Sequence, residues 1–432
     1  MALSRLWNPR RAIFILALLG VVSCLWLFSR DNASMAVHIP PPTPMPHPNA
    51  YDYYLKAQEQ ITSAAGRYVE HGALPGQLWD VERLSPAQQE QMLSATRQGL
   101  ATLREGFAYA YQAPPCGPSW CAAPATPDVA TADDRARDLA HYLCFVAEVQ
   151  AAHGNWGEAV QCHLDALRLG SDITREATVD GWFTGYDVKS IGRSHTWEAI
   201  FHLNAVQARA AIMRLHEIMH RQGKLADALQ RQKWAIQAGL LQMFQQPNWR
   251  LTLAKRIGSD TRSGELVWSF PTKQQVFTGV SRYMDQLIAE ARKPYPQRRT
   301  VKDPPVAIAL ICDVDWPAAT HDTIINKTHN ALLLTTFALQ AYKAEHGAYP
   351  TALAALVPSY LPQIPADPFA SGACLGYHVA GHDFVLYSVG PDGKDSGGQP
   401  IEQKFTYLVQ RQDFFADGNI KEGDIVAGIN VF

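Results

Sequence analysis

A break rich in proline and charge, RKPYPQRRTVKDPP at 292–305, divides this chain into two stretches of different hydrophobic pattern. From about Tyr51 to about Arg292 apolar residues recur at helical spacing almost throughout. After the break one helical pattern is followed by two short runs that read as strands. Helices and strands segregated in this way predict an α+β fold. The 432 residues suffice for two or three domains, each with its own core. The expected division is a membrane anchor or signal segment at 1–30, a Pro-rich linker at 31–50, a helical domain at 51–300, a linker at 301–320 and an α+β domain at 321–432.

Within the helical stretch, LSPAQQEQ carries a complete start signal: Ser85 as N-cap, Pro86 at the first helical position and Gln88 closing a capping box. Ala136 to Gly170 reads as two antiparallel helices around AHGNWGEA. That pair resembles a single tetratricopeptide repeat, with Ala147, Gly154, Ala159 and Ala166 at its small-residue positions and Trp156 as the turn aromatic. A second, weaker match lies at RQGKLADALQRQKWA, through Gly223, Leu225, Ala228 and Ala235, about two repeat lengths after the first. Between them GWFTGYDVKSIGRSHTW stands where a further copy is expected. The resemblance implies helical hairpins stacked into a concave peptide-binding surface.

Beyond the break, Ile325, Leu332, Leu339 and Tyr342 mark a helix from about Asp322 to Glu345 with Gly347 as its stop. A short capped turn follows from Thr351, then a proline-punctuated loop. Leu375–Val379 and Phe384–Val389 then read as a hairpin around Gly381. LQAYKAEHGAYPTALAALV, LPQIPADPF, DFVLYSVGPDGKDSGG and the later GDI, in that order, resemble the C-terminal part of the major pseudopilin of type II secretion. They are also similar to the tails of large membrane-anchored proteins of planctomycete type. The resemblance implies a long helix on a small antiparallel sheet, closed by a loop that in pseudopilins binds calcium. Calcium takes six to eight oxygens, and PDGKDSGG offers Asp392, Asp395, Ser396 and several carbonyls in a loop whose glycines permit tight turns. By the resemblance Asp424 in EGDIVAG completes the site, although an insertion separates it from Gly398 here. The chain departs from pseudopilins at its start, where the hydrophobic run lacks the Glu of a prepilin site and stands far from the pseudopilin-like helix. Processing and assembly as a pilus subunit are therefore not expected.

That hydrophobic run extends without charge from Ala12 to Phe28, after Arg5, Arg10 and Arg11. Its length suits a bilayer-spanning helix, and the arginines predict the N-terminal side inside and the remainder outside. A retained inner-membrane anchor, acylation at Cys24 in VVSC and cleavage after Ala36 all deliver the chain to an extracytoplasmic, periplasmic space. HIPPPTPMPHPNA then reads as a semi-rigid spacer. Lys+Arg 38 against Asp+Glu 40 leaves no basic surplus for phosphates, which argues against a nucleic-acid partner. Cys116 and Cys121 favour a short-range disulfide in that oxidising compartment, while Cys144 and Cys162 fall on successive helices as bridged or merely buried thiols.

One motif points to catalysis. HEIMH supplies His216, Glu217 and His220 in the spacing by which one helix face binds zinc and presents a base. A third ligand is hard to find: Ala226 occupies one expected position with Asp227 beside it, and the next acidic candidate is Glu265. Ala208, Ile212, Leu215 and Met219 define the buried stripe of that helix, which puts both histidines at its edge in line with Arg209. No nucleophile elbow, phosphate loop or dinucleotide fingerprint is present, and no small-molecule substrate is evident. The expected function is a non-catalytic interaction or scaffold protein of the cell envelope with a protein or peptide partner. The competing expectation is an extracytoplasmic zinc peptidase built on the HEIMH helix.

Overall fold

The structure is a computed structural model and describes residues 39–41, 43–66, 68, 79–114, 132–257, 272–402 and 421–430. It is mostly helical with one small antiparallel sheet, an α+β arrangement.

Four helices form the first core: α1 (Ala50–Ala65), α2 (Pro86–Gly106), α3 (Ala132–Ala152) and α4 (Trp156–Arg175). The capping box of α2 forms as its sequence predicts, Gln88 N–H donating to Ser85 Oγ while Gln88 Oε1 accepts from Ser85 N–H. Tyr54, Ile61, Met92, Leu103, Leu143 and Phe145 fill the space between these helices. Ala147, Ala159 and Ala166 are fully buried there, and Gly154 takes the left-handed turn at φ 76° that joins α3 to α4. The glycine-containing stretch after Thr178 folds as α5 (Val179–Ser194) and lies against α4. The contact is backbone to backbone at Gly170 and Gly185: a Cβ on either would fall 2.5 or 2.7 Å from the other's carbonyl oxygen.

A short helix α6 (Thr196–Ile200) leads into α7 (Ala205–Arg221) and α8 (Leu225–Met243), followed by α9 (Trp249–Ile257), α10 (Lys273–Ala291) and α11 (Val306–Cys312). Asn204 and Gln207 build a second capping box at the start of α7, and Ala208, Ala211, Ile212, Leu215 and Ile218 are its buried face. Trp182, Leu229, Ile236, Leu240, Val280, Met284 and Leu287 make a second core from α5, α8 and α10.

The long helix α12 (Trp316–His346) stops at Gly347, whose φ of 82° releases the chain as expected. It begins earlier than its apolar spacing suggests, because Asp315 accepts from Ala318 N–H and Pro317 suits the first turn. The segment expected to be a plain linker thus holds α11 and the first turn of α12. The hairpin forms as β1 (Gly376–Ala380) and β2 (Asp383–Ser388), one residue from its expected bounds at most edges, with Gly381 at φ 65° in the turn. A third strand, β3 (Ile425–Val426), pairs antiparallel with β2 in the register Tyr387 opposite Val426.

The helix α12 is buried all round rather than along one stripe. Its neighbours include α5, α6 and α7 as well as β2, and one core joins Leu164, Leu215, Leu332, Phe337, Leu386 and Ile425. Five of its buried threonines, Thr320, Thr323, Thr328, Thr335 and Thr336, donate their hydroxyls to carbonyls one turn back, so these hydroxyls enter the core with their donors met. Gln340 reaches across to the carbonyls of Phe201 and Leu203.

The end of the Pro-rich segment is not a free spacer. Asn49 caps α1 and exchanges hydrogen bonds with Gln112, whose own side chain donates to the Thr43 carbonyl. Among the described residues no helix is long and apolar enough to cross a membrane; the run from Ala12 to Phe28 lies outside them, as do Cys24, Cys116 and Cys121. The described cysteines Cys144, Cys162, Cys312 and Cys374 are free thiols, so Cys144 and Cys162 are buried rather than bridged.

Candidate functional site

The acidic loop after β2 is held by carboxylates that accept backbone N–H groups. Asp424, fully buried before β3, takes Ser396 N–H at 3.3 Å and Gly398 N–H at 2.7 Å. The chain beside it is pinned further by Asp424 N–H to the Gln399 carbonyl and Ile401 N–H to the Asp424 carbonyl. Asp395 Oδ1 accepts from Gly397 N–H and from the Tyr387 hydroxyl, and Asp392 Oδ1 accepts from Lys394 N–H. The structure thus brings Asp424 onto the loop despite the intervening insertion, whose residues 403–420 lie outside the described ones. Burial first, then the charges of Asp395 and Asp392, pushes the Asp424 carboxyl above its ordinary range, while its two N–H partners pull it down. Among the described residues no three His, Cys, Asp or Glu side chains are disposed to hold a metal ion. The loop gathers Asp392, Asp395 and Asp424 with each carboxylate accepting at least one backbone N–H. Both Asp424 oxygens are already engaged by loop amides, which supply the positive partial charge a cation would.

Asp367 in IPADPF has a parallel role that its sequence alone did not suggest. It is buried, and it accepts from the Ser388 hydroxyl at 2.6 Å, Val389 N–H at 2.8 Å and Phe369 N–H at 2.9 Å. The two aspartates fasten the proline loop and the glycine loop to the same end of the small sheet, where Ser388 pairs with Ile425.

The HEIMH residues sit on the last turns of α7. His220 Nδ1 lies 2.7 Å from the His216 carbonyl oxygen and donates to it, and the two imidazoles stack 5.0 Å apart at 25°. Nearly parallel rings do not converge their lone pairs on one point, and one nitrogen is spent on the backbone. Glu217 lies between Arg221 at 3.1 Å and Arg168 at 3.7 Å, so its carboxylate is paired with arginines of its own helix and of α4. Asp227 is on the first turn of α8, and Glu265 lies outside the described residues. Arg209 is turned to Glu345, which it grips through two bonds of 2.8 and 3.0 Å.

Two further features escaped the linear reading. Asp165, with no exposed side-chain surface, joins Arg104 of α2 and Arg214 of α7 from the middle of α4. A cavity of about 280 Å³ lies between α3, the start of α4 and the α5–α6 corner, lined by Glu148, Trp156, His163, His195, Trp197 and Glu198 among others. In it His195 Nδ1 is 3.6 Å from Glu148 Oε1. Trp156 stacks on His202 at 3.9 Å, and the buried indole N–H of Trp197 has no acceptor. Burial pushes the His163 imidazole down to about 3, which leaves it neutral. Burial also raises the Glu148 carboxyl; His195 opposes this, and Asp80 and Glu82 add to it. These residues carry no shared motif, and only the crossing of three helices assembles them.

No family model, no curated protein and no solved structure matches this chain.

Proposed function

We propose that this chain is a non-catalytic scaffold or interaction protein of the cell envelope, tethered by its N-terminal segment and ending in a pseudopilin-like unit. The observation that carries the reading is the state of its chemistry-bearing motifs. Asp367 and Asp424 are spent on loop amides, His220 Nδ1 on the His216 backbone carbonyl, and Glu217 on Arg221. Val206 and Met213, two turns apart on α7 and exposed at 77% and 69%, give the helical part an apolar surface suited to a protein partner. The extracytoplasmic placement rests on Arg5, Arg10 and Arg11 before the uncharged run.

The test uses the full-length chain in membranes. It should sediment with them, resist alkaline extraction, and become open to added protease only from the extracytoplasmic side. A photo-reactive residue at Met213 should give one discrete crosslinked product. Soluble recovery, or zinc-dependent peptide cleavage lost on His216→Ala, would overturn the proposal.

A further inference from the structure

We propose that the cavity between α3, α4 and the α5–α6 corner is a binding site for a primary ammonium group, a role separate from the scaffold reading and independent of it. Three observations select this chemistry. The lining side chains include two carboxylates, Glu148 and Glu198, two imidazoles, His163 and His195, and no lysine or arginine among the described residues, so the carboxylates set the charge that an entering ion meets. Two indoles also line it, Trp197 and Trp156, the latter with one face already stacked on His202, and Trp is the strongest aromatic partner for an organic cation. A metal ion is a poor alternative, because no three donor side chains among the described residues are disposed to hold one.

The third observation says what the ammonium is attached to. The Trp197 indole is 5% exposed, and its buried N–H has no hydrogen-bond partner. An indole N–H only donates, so the missing group is an acceptor. A lysine residue within a peptide has both parts, an ammonium for Glu148 and Glu198 and an amide carbonyl for Trp197. A cavity of about 280 Å³ holds one such side chain rather than a folded segment. His195 Nδ1 stands 3.6 Å from the Glu148 carboxylate, beyond hydrogen-bond length, so an ammonium can approach that oxygen more closely than the imidazole does.

The experiment titrates the purified full-length chain at low ionic strength with Nα-acetyl-lysine methylamide, n-butylamine and Nα-acetyl-norleucine methylamide, followed by tryptophan fluorescence and calorimetry. Saturable binding of the first, at least about tenfold tighter than of the uncharged norleucine compound, is expected. Glu148→Gln should weaken it by about tenfold. Glu198→Gln, at an exposed position where folding is not at stake, should weaken it in the same direction. Tighter binding of the lysine amide than of butylamine, lost in Trp197→Phe, assigns a peptide-borne source; equal binding assigns a free amine. Norleucine amide binding as well as lysine amide, no saturation by either amine, or affinity unchanged in both glutamine variants would overturn the proposal.

Discussion

Replacing Asp165 by alanine tests whether the ionic contact in the middle of α4 holds three helices in register. Its carboxylate has no exposed surface and bonds Arg104 Nε at 2.8 Å and Arg214 Nη2 on its other side. Burial alone would lower the Arg104 pKa, yet Asp165, Cys162 and Glu158 hold it above the usual guanidinium value. Without Asp165, the two guanidiniums lose the buried carboxylate they share. Leaving a buried charge without its partner costs about 3–5 kcal/mol. Here Arg104 and Arg214 keep 34% and 29% of their side-chain surface, and Arg104 retains Glu158 at 2.7 Å. That solvation reduces the expected loss to about 2–4 kcal/mol. Asp165→Asn keeps the shape and one acceptor and should cost less. Urea unfolding followed by circular dichroism reads the loss as a fall in midpoint. A triple variant with Asp165, Arg104 and Arg214 all made apolar should recover most of it, since the desolvation cost disappears with the charges. A fall of less than about 1 kcal/mol for Asp165→Ala, or no recovery in the triple variant, refutes the reasoning.

Two other expectations follow from buried groups. His163 has its folded pKa lowered to about 3, so the unfolded chain binds the extra proton between that value and 6.5. Stability from this group is therefore complete above 6.5 and is lost as pH falls, by about 2 kcal/mol from pH 7 to pH 5. His163→Gln should flatten that part of the stability profile, and an unchanged slope would exclude the histidine as its source. Asp424→Ala should cost about 2–3 kcal/mol and speed amide exchange at Ser396 and Gly398, while added calcium leaves the parent melting temperature unchanged. A calcium-dependent rise that Asp392→Ala removes would show that the loop closes on a metal and not on its own amides.

Local features of the fold were legible because their causes lie within a few residues of one another. Ser85, Pro86 and Gln88 start α2, Gly347 ends α12, and Gly381 turns the hairpin, each through the backbone geometry of its own neighbourhood. Other features depended on partners far along the chain. The interruption GWFTGYDVKSIG became a helix because Gly170 and Gly185 let α4 and α5 meet backbone to backbone. The stripe on α12 proved to be part of a helix buried on most of its surface, since α5, α6, α7 and β2 all pack against it.

For the sites the division is the same. Sequence by itself marked Asp392, Asp395 and Asp424 as one loop system and HEIMH as a helical face. Only the tertiary structure decided that the carboxylates bind amides, that the imidazoles stack, and that Glu148, Trp197 and Glu198 share a cavity. A side chain's type states what it can bind; which groups come within 3 Å of it is set by packing between elements whose separation in sequence carries no local signal.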